Sequence, residues 1–375
     1  MIKVFIDLVQ EYMRNLVLRL GESEEKVFTA EASPNIALIK YWGKRDEKRI
    51  LPYNSSLSMT FEHKAFRTVT SVAFSRRIKE DVFYLNGMRQ DLSEKEIMER
   101  FSILNVLRRM AGTRERAIVV SRNYFPTASG MASSASGIAA LAYAANAALG
   151  LGLGGKELSR IARMGSGSAC RSIFGGIVIW HRGNSPDGRD SYAEQLFDEK
   201  YWQDFISVTA IVSSSAKKVS SRAGMRQTVE TNPLFGLRPE SAEARLHDLV
   251  NAYARRDISG VAACAMADSN EMHALMMSTS PPIRYLNDAS HAVMDAVESI
   301  NQDAGEIIAG YTFDAGPNAN IITTERHRDE IRRMLAQLMK KGIVKGIRVS
   351  HAGTGPLLLN SKWSLLGKKE LRMLR

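Results

Sequence analysis

The stretch "FPTASGMASSASGIAALAYAANAALG", residues 125–150, changes character halfway along. It begins with hydroxyls and glycines and ends almost wholly in Ala and Leu. Ala and Leu are the strongest helix formers, so 135–151 reads as a helix with Gly150 near its end. The segment ahead of it, "RAIVVSRNYF", has the composition of a strand. A Gly/Ser loop between a strand and a helix aims backbone N–H groups and a positive dipole end at one point, which suits phosphate. Gly130 and Gly137 permit tight turns there, and Ser133, Ser134 and Ser136 supply hydroxyls. No GKS or GKT follows, so the loop is not a Walker A loop, and its glycines lack the Rossmann spacing. An ordinary loop with an N-cap fits the same residues.

The flanking chain reads as a mixture of strands and helices. "VFTAEASPNIALIKYWGK" is extended around a Ser-Pro turn, and residues 56–75 are β-rich. "DVFYLNGMRQDLS" is a strand, an Asn-Gly hairpin turn and a strand. "EKEIMERFSILNVLRRMAG" and "GGKELSRIARMGSG" are helices, and "FGGIVIWHRG" is a strand. Beyond about residue 200 come the strand "DFISVTAIVSSS" and a long helical tract over 241–279. A helix, two strands around "DAGPN" and a further helix at 325–342 follow. Strand runs and helix runs in this order predict an α+β protein in two parts. The expected units are 27–200, with the Ser/Gly loop, and 201–375. Residues 1–26 form an N-terminal amphipathic helical extension, because Ile2, Phe5, Leu8, Val9, Tyr12, Met13 and Leu16 fall at helical spacing.

Composition narrows the function. The 375 residues carry 51 Lys+Arg against 40 Asp+Glu, a net charge of +11. That sign favours anionic partners, but the cations are scattered rather than clustered with aromatics, so no nucleic acid is expected. Two cysteines, Cys170 and Cys264, without a CxxC pair, exclude a disulfide framework and fit a reducing, cytoplasmic location. No apolar run approaches the ~18 residues of a membrane span, so no membrane insertion is expected. The histidines show no ligand spacing, so no transition-metal site is expected.

Three further clusters carry candidate chemistry. In "GSGSACRSIFGG", 165–176, Arg171 lies among Ser166, Ser168 and Ser172, a setting for a carboxylate or phosphate. In "YTFDAGPNAN", 311–320, Asp314 ends a strand and suits either an Asx-turn or a general base. In "SPNIALIKYWGKRD", 33–46, Lys40, Lys44 and Arg45 flank Tyr41 and Trp42, which alone could be an edge strand with solvated charges.

Together these segments resemble the signature segments of the mevalonate diphosphate decarboxylases, in the GHMP kinase superfamily. "LPYNSSLSMTF", "WHRGNSPDGRDSYAEQ", "SSRAGMRQTVETNPLF" and "SPPIRYLND" resemble further family segments, in the family's order, over roughly 28–356. The resemblance implies a two-part GHMP fold with a cleft between a ribosomal protein S5 domain 2-like half and a ferredoxin-like half. It implies an enzyme, a carboxy-lyase of isoprenoid synthesis that acts on a phosphorylated mevalonate, with ATP phosphorylating the tertiary 3-hydroxyl before CO2 is lost. Asp314 is then the base, Arg171 the anchor of the departing carboxylate, and Lys40 the lysine near the 3-oxygen. Tyr41, Lys44, Ser166, Ser168 and Arg222 fall where the family holds the 5-phosphate end. Gly130, Ser133, Ser134, Ser136 and Gly137 resemble its ATP phosphate loop, with Mg2+ accompanying the ATP. The resemblance also implies a homodimer. Tyr53, Tyr124 and the N-terminal extension depart from the usual pattern. Tyr124 would narrow the adenine pocket, which leaves an ATP-independent mevalonate 3,5-bisphosphate decarboxylase of the archaeal type as the alternative. A mevalonate-type kinase is a further one, against which Asp314 argues.

Overall fold

A computed structural model describes residues 26–125, 133–212 and 219–374 of the chain. The expected N-terminal helix over 1–26 lies, but for its last residue, outside the described residues, as do 126–132 with Gly130. The class is α+β, as the element order suggested.

The first sheet runs β16–β1–β6–β9–β7–β8. Its strands are β1 (Phe28–Ala32), β6 (Thr68–Ser75), β7 (Val82–Leu85), β8 (Met88–Arg89), β9 (Arg116–Asn123) and β16 (Leu357–Leu359). β7 and β8 meet with Leu85 opposite Met88, and Asn86 and Gly87 both have positive φ, the Asn-Gly turn read from sequence. Helix α1 (Lys95–Ala111) ends on Gly112 in the left-handed region. Helix α2 (Ser133–Ala148) is the Ala-rich segment, and its small side chains let it lie close on β1 and β6. It is buried among Val72, Val119, Leu104 and Leu107 on one side and Leu158 and Ile161 of α3 (Gly155–Gly165) on the other.

The second sheet runs β11–β10–β5–β2, with β2 (Asn35–Ile39), β5 (Ser56–Thr60), β10 (Ile177–Trp180) and β11 (Ala193–Phe197). A small ribbon, β3 (Lys44–Asp46) and β4 (Leu51–Pro52), sits beside it. The third sheet runs β13–β14–β12–β15, with β12 (Phe205–Ile211), β13 (Gly310–Phe313), β14 (Ala319–Thr324) and β15 (Gly346–His351). Helices α4 (Ser221–Thr231), α5 (Arg238–Ala254), α6 (Ile258–Met277), α7 (Asp288–Ala304) and α8 (Arg328–Lys340) belong to this part, and α9 (Lys368–Leu374) returns to β6.

α7 and α8 cover one face of the third sheet through Val293, Val297, Ile331 and Leu335. α5 and α6 fill the space between the second and third sheets. Leu246, Tyr253, Val261 and Ala265 pack there against Ile36, Leu57 and Met59 on one side and Phe205 and Ile322 on the other. β12 is buried nearly throughout because helices cover both its faces.

Sequence reading missed β11, α4, β15, β16 and α9. "GSGSACRSIFGG", read as a Ser/Gly turn, is instead a buried 3-10 helix over Gly167–Ile173.

Candidate functional site

The second and third sheets each end a strand at one point. Lys40 follows β2, and Asp314 follows β13. Lys40 Nζ lies 2.9 Å from Asp314 Oδ1, with the lysine side chain 2% and the aspartate 34% exposed. Burial pushes the Lys40 ammonium below its ordinary range, and Asp314 and Asp268 pull it back. Asp314 is therefore the open end of a pair whose other member is fixed inside.

Arg171 is buried at 2% exposure and belongs to the 3-10 helix. Nε donates to Ser58 Oγ at 3.0 Å, Nη1 to Ser56 Oγ at 2.6 Å and Nη2 to Asn35 Oδ1 at 3.2 Å. Asn35 in turn donates to Ser172 Oγ at 2.8 Å and to the Ser168 carbonyl at 3.1 Å. The guanidinium is thus oriented by neutral oxygens. Burial lowers its pKa, but an arginine stays protonated at neutral pH. Its field reaches Lys40, and that of Asp314 reaches it. A cation desolvated among neutral acceptors favours an anionic ligand.

The residues expected at the phosphate end gather nearby. The Tyr41 ring packs on Trp180 with centroids 4.6 Å apart, and its buried hydroxyl finds no partner among the described residues. Burial pushes that phenol well above its ordinary range. Gly167 leaves room for the ring: a Cβ there would come within 2.6 Å of it. Lys44 Nζ lies 2.6 Å from Glu47, and burial lowers the Lys44 pKa while Glu47 offsets this. Arg222 pairs with Glu99 of α1 and donates to the Gly165 carbonyl at 2.6 Å. The charges of Arg222 and Arg226 both reach Lys44, so Arg226 is a cation of this cluster that sequence reading did not single out.

Of the loop residues, Ser133 opens α2, and Ser134 Oγ lies 3.3 Å from Ser166 Oγ, joining the two Ser-rich segments. Ser136 is fully buried with its hydroxyl 2.7 Å from Thr68 Oγ1, inside the contact between α2 and β6. Gly137 faces open space where a Cβ would stand. It lines a cleft with Phe83, Phe101 and Ile138 as apolar walls and Gln90 and Asn123 as polar groups. Tyr124 is not among the lining residues. Its ring lies 4.9 Å beneath the Arg67 guanidinium instead. Tyr53 packs edge-on against Phe235, with centroids 5.1 Å apart.

Sequence reading also missed Asn35, Ser56 and Ser58 as the holders of Arg171, and Asp268 and Arg238 beside Lys40. Asp268 carried a usable signal. It sits at the helical spacing of Val261, Ala265 and Met272, an acid in a buried stripe. No group of three His, Cys, Asp or Glu among the described residues could hold a metal ion by itself.

Residues 32–193 match the diphosphomevalonate decarboxylase-like N-terminal domain, and 207–358 match the mevalonate 5-diphosphate decarboxylase C-terminal domain. The chain belongs to the diphosphomevalonate decarboxylase family. It is 41% identical over 317 residues to the diphosphomevalonate decarboxylase of Danio rerio, covering 81% of this chain and 78% of that one. The structure of MDDEF in complex with MVAPP, AMPPCP and magnesium superposes with a TM-score of 0.81 at 37% identity, over 90% of this chain and all of that one. Mevalonate diphosphate decarboxylase from Trypanosoma brucei superposes at 0.83 with 34% identity, over 91% and 100%. The two-part GHMP kinase fold is therefore the fold of this chain, and its activity is that of a carboxy-lyase.

Proposed function

We propose that the protein is an ATP-dependent mevalonate 5-diphosphate decarboxylase. The observation that carries the reading is the Lys40–Asp314 pair beside an arginine whose hydrogen-bond acceptors among the described residues are neutral oxygens. A tertiary alcohol is a weak nucleophile, and a carboxylate at hydrogen-bond reach takes its proton. Asp314, the exposed member of the pair, takes the proton of the 3-hydroxyl, and the Lys40 ammonium balances the negative charge on that oxygen. Arg171 grips the substrate carboxylate and holds the breaking C–C bond in line. Tyr41, Lys44, Ser166, Ser168, Arg222 and Arg226 hold the 5-diphosphate, which supplies the missing partner of the Tyr41 hydroxyl.

ATP with Mg2+ supplies the phosphoryl group that makes the 3-oxygen a leaving group. The residues present suit it. The cleft at Gly137 has apolar walls and polar edges for a purine, and it opens at the start of α2, where N–H groups favour phosphate. Ser134 and Gly137 hold the nucleotide, together with Ser133 and Gly130. Mg2+ is commonly held through phosphates with few protein ligands. The ATP-independent alternative drew on Tyr124 as a plug, and that ring lies under Arg67 instead. A homodimer and a cytoplasmic location complete the proposal. No described helix is long and apolar enough to cross a membrane.

Incubation with mevalonate 5-diphosphate and with the 3,5-bisphosphate, each with and without Mg-ATP, tests the reading by CO2 release. Turnover of the 5-diphosphate only with Mg-ATP is expected. Turnover of the 3,5-bisphosphate without ATP overturns it.

A further inference from the structure

Lys40 leaves β2 at the point where the strand ladder stops serving its peptide groups. Its N–H donates instead to Asp268 Oδ2 at 2.6 Å. Its carbonyl accepts from Arg238 Nη2 at 3.0 Å and from Asn54 Nδ2 at 3.0 Å. Asp268 is itself held in a fork by Arg238, at 2.7 and 3.0 Å, and both side chains are fully buried. Arg245 adds a bond to Asp268 at 2.9 Å and one to Glu271 at 2.6 Å. The next residue along α6, Ser269, accepts the N–H of Phe313 at 3.0 Å, directly ahead of Asp314. One step of one helix thus sets both strand ends from which the pair projects.

A fully buried ion pair is a poor stabiliser, since desolvation consumes most of its attraction. Its value is geometric: a forked Arg–carboxylate contact fixes direction as well as distance. A lysine has four rotatable stem bonds, so placing its ammonium requires a fixed peptide. We propose that Asp268 and Arg238 are positioning residues that set Lys40 against Asp314 and hold it charged. The proposal rests on the reading that Lys40 works at the reacting centre. Among the described residues, the charged and titratable groups facing Lys40 are Asp314 from the turn after β13, Asp268 and His273 from α6, Arg238 from α5 and Arg171 from the 3-10 helix, with Arg245 of α5 behind Asp268.

The test is the pH profile of kcat on the full-length protein, beside KM and thermal stability. Asp268→Asn keeps an acceptor for the Lys40 N–H but removes the charge that favours the ammonium. The alkaline limb of kcat is expected to fall by about one pH unit, with kcat down tenfold or more and KM nearly unchanged. Arg245→Gln leaves the fork intact and removes the cation that shares Asp268 Oδ1 at 2.9 Å, so the Asp268 charge acts more strongly on Lys40 and the alkaline limb is expected to shift upward. Should Asp268→Asn not fold, the upward shift in Arg245→Gln carries the test alone. General loosening of the fold would not give shifts of opposite sign. A limb unmoved in the variants that fold, or moved the same way in both, overturns the proposal. Lys40→Met separates the two readings: normal turnover there removes Lys40 from the reacting centre, whatever Asp268 does.

Discussion

Lys40 and Asp314 meet at 2.9 Å although 274 residues separate them, and they come from different sheets. Removing the carboxylate therefore removes the base and also the charge that offsets burial of the ammonium. Asp314→Asn is expected to lower kcat about a thousandfold. The fold is expected to persist with a lowered melting temperature, because among the described residues the buried Lys40 ammonium keeps only Asp268 to offset its burial. Single-turnover CO2 release and a thermal scan check both halves of this.

Arg171 rests on neutral oxygens, so its charge is available to a ligand. Arg171→Lys cannot reproduce the fork to Ser56, Ser58 and Asn35, and kcat is expected to fall about a hundredfold. Asn35→Asp makes a sharper case. It gives Arg171 an internal counter-ion of the same shape, which competes with the substrate carboxylate. KM is expected to rise about tenfold, by the 1.4 kcal/mol that separates decades of affinity. An unchanged KM would dissociate Arg171 from substrate binding.

Gly167 is expected to be intolerant of the smallest side chain. A methyl there lands 2.6 Å from the Tyr41 ring, which is backed by Trp180 and cannot retreat. Gly167→Ala should cost about 1–3 kcal/mol as overpacking. It should also raise KM for the 5-diphosphate substrate, as read by urea unfolding and steady-state kinetics.

His273 should shape the acid limb of stability. Burial and the Lys40 charge push its pKa down from 6.5 to about 4. The unfolded chain therefore takes up a proton that the folded one refuses between those values. Stability is full above about pH 6.5 and falls as pH drops towards 4, by up to about 3 kcal/mol from this group. His273→Leu is expected to flatten that part of the curve. An unchanged slope would show that His273 protonates freely in the fold.

The local elements were legible because local chemistry decides them. Asn86–Gly87 selects a hairpin turn, Gly112 ends α1, and the Ala-rich tract makes α2. β16 was not legible, since three leucines become a strand only through pairing with Thr29, Ala30 and Glu31. The 3-10 helix around Arg171 was also hidden. Its Ser and Gly residues favour a turn locally, and burial against β2 and β5 overrides that. Lys40, Arg171 and Asp314 could be nominated one by one from their segments. Their company could not, and neither could Asp268 and Arg238, because two helices packed between two sheets bring them to Lys40.

The apolar cluster around α5 and α6 belongs to neither part alone. Ile36, Leu57, Phe61 and Ile177 come from one side, and Trp202, Phe205, Leu246 and Ile322 from the other. Two bodies sharing one interior cannot swing apart without exposing it to water. Lys40 and Asp314 thus do not wait for a substrate to bring them together; their spacing is built when the chain folds. Heating should melt the molecule in one cooperative step, and a chain cut near residue 200 should leave two fragments that each expose half of a seam.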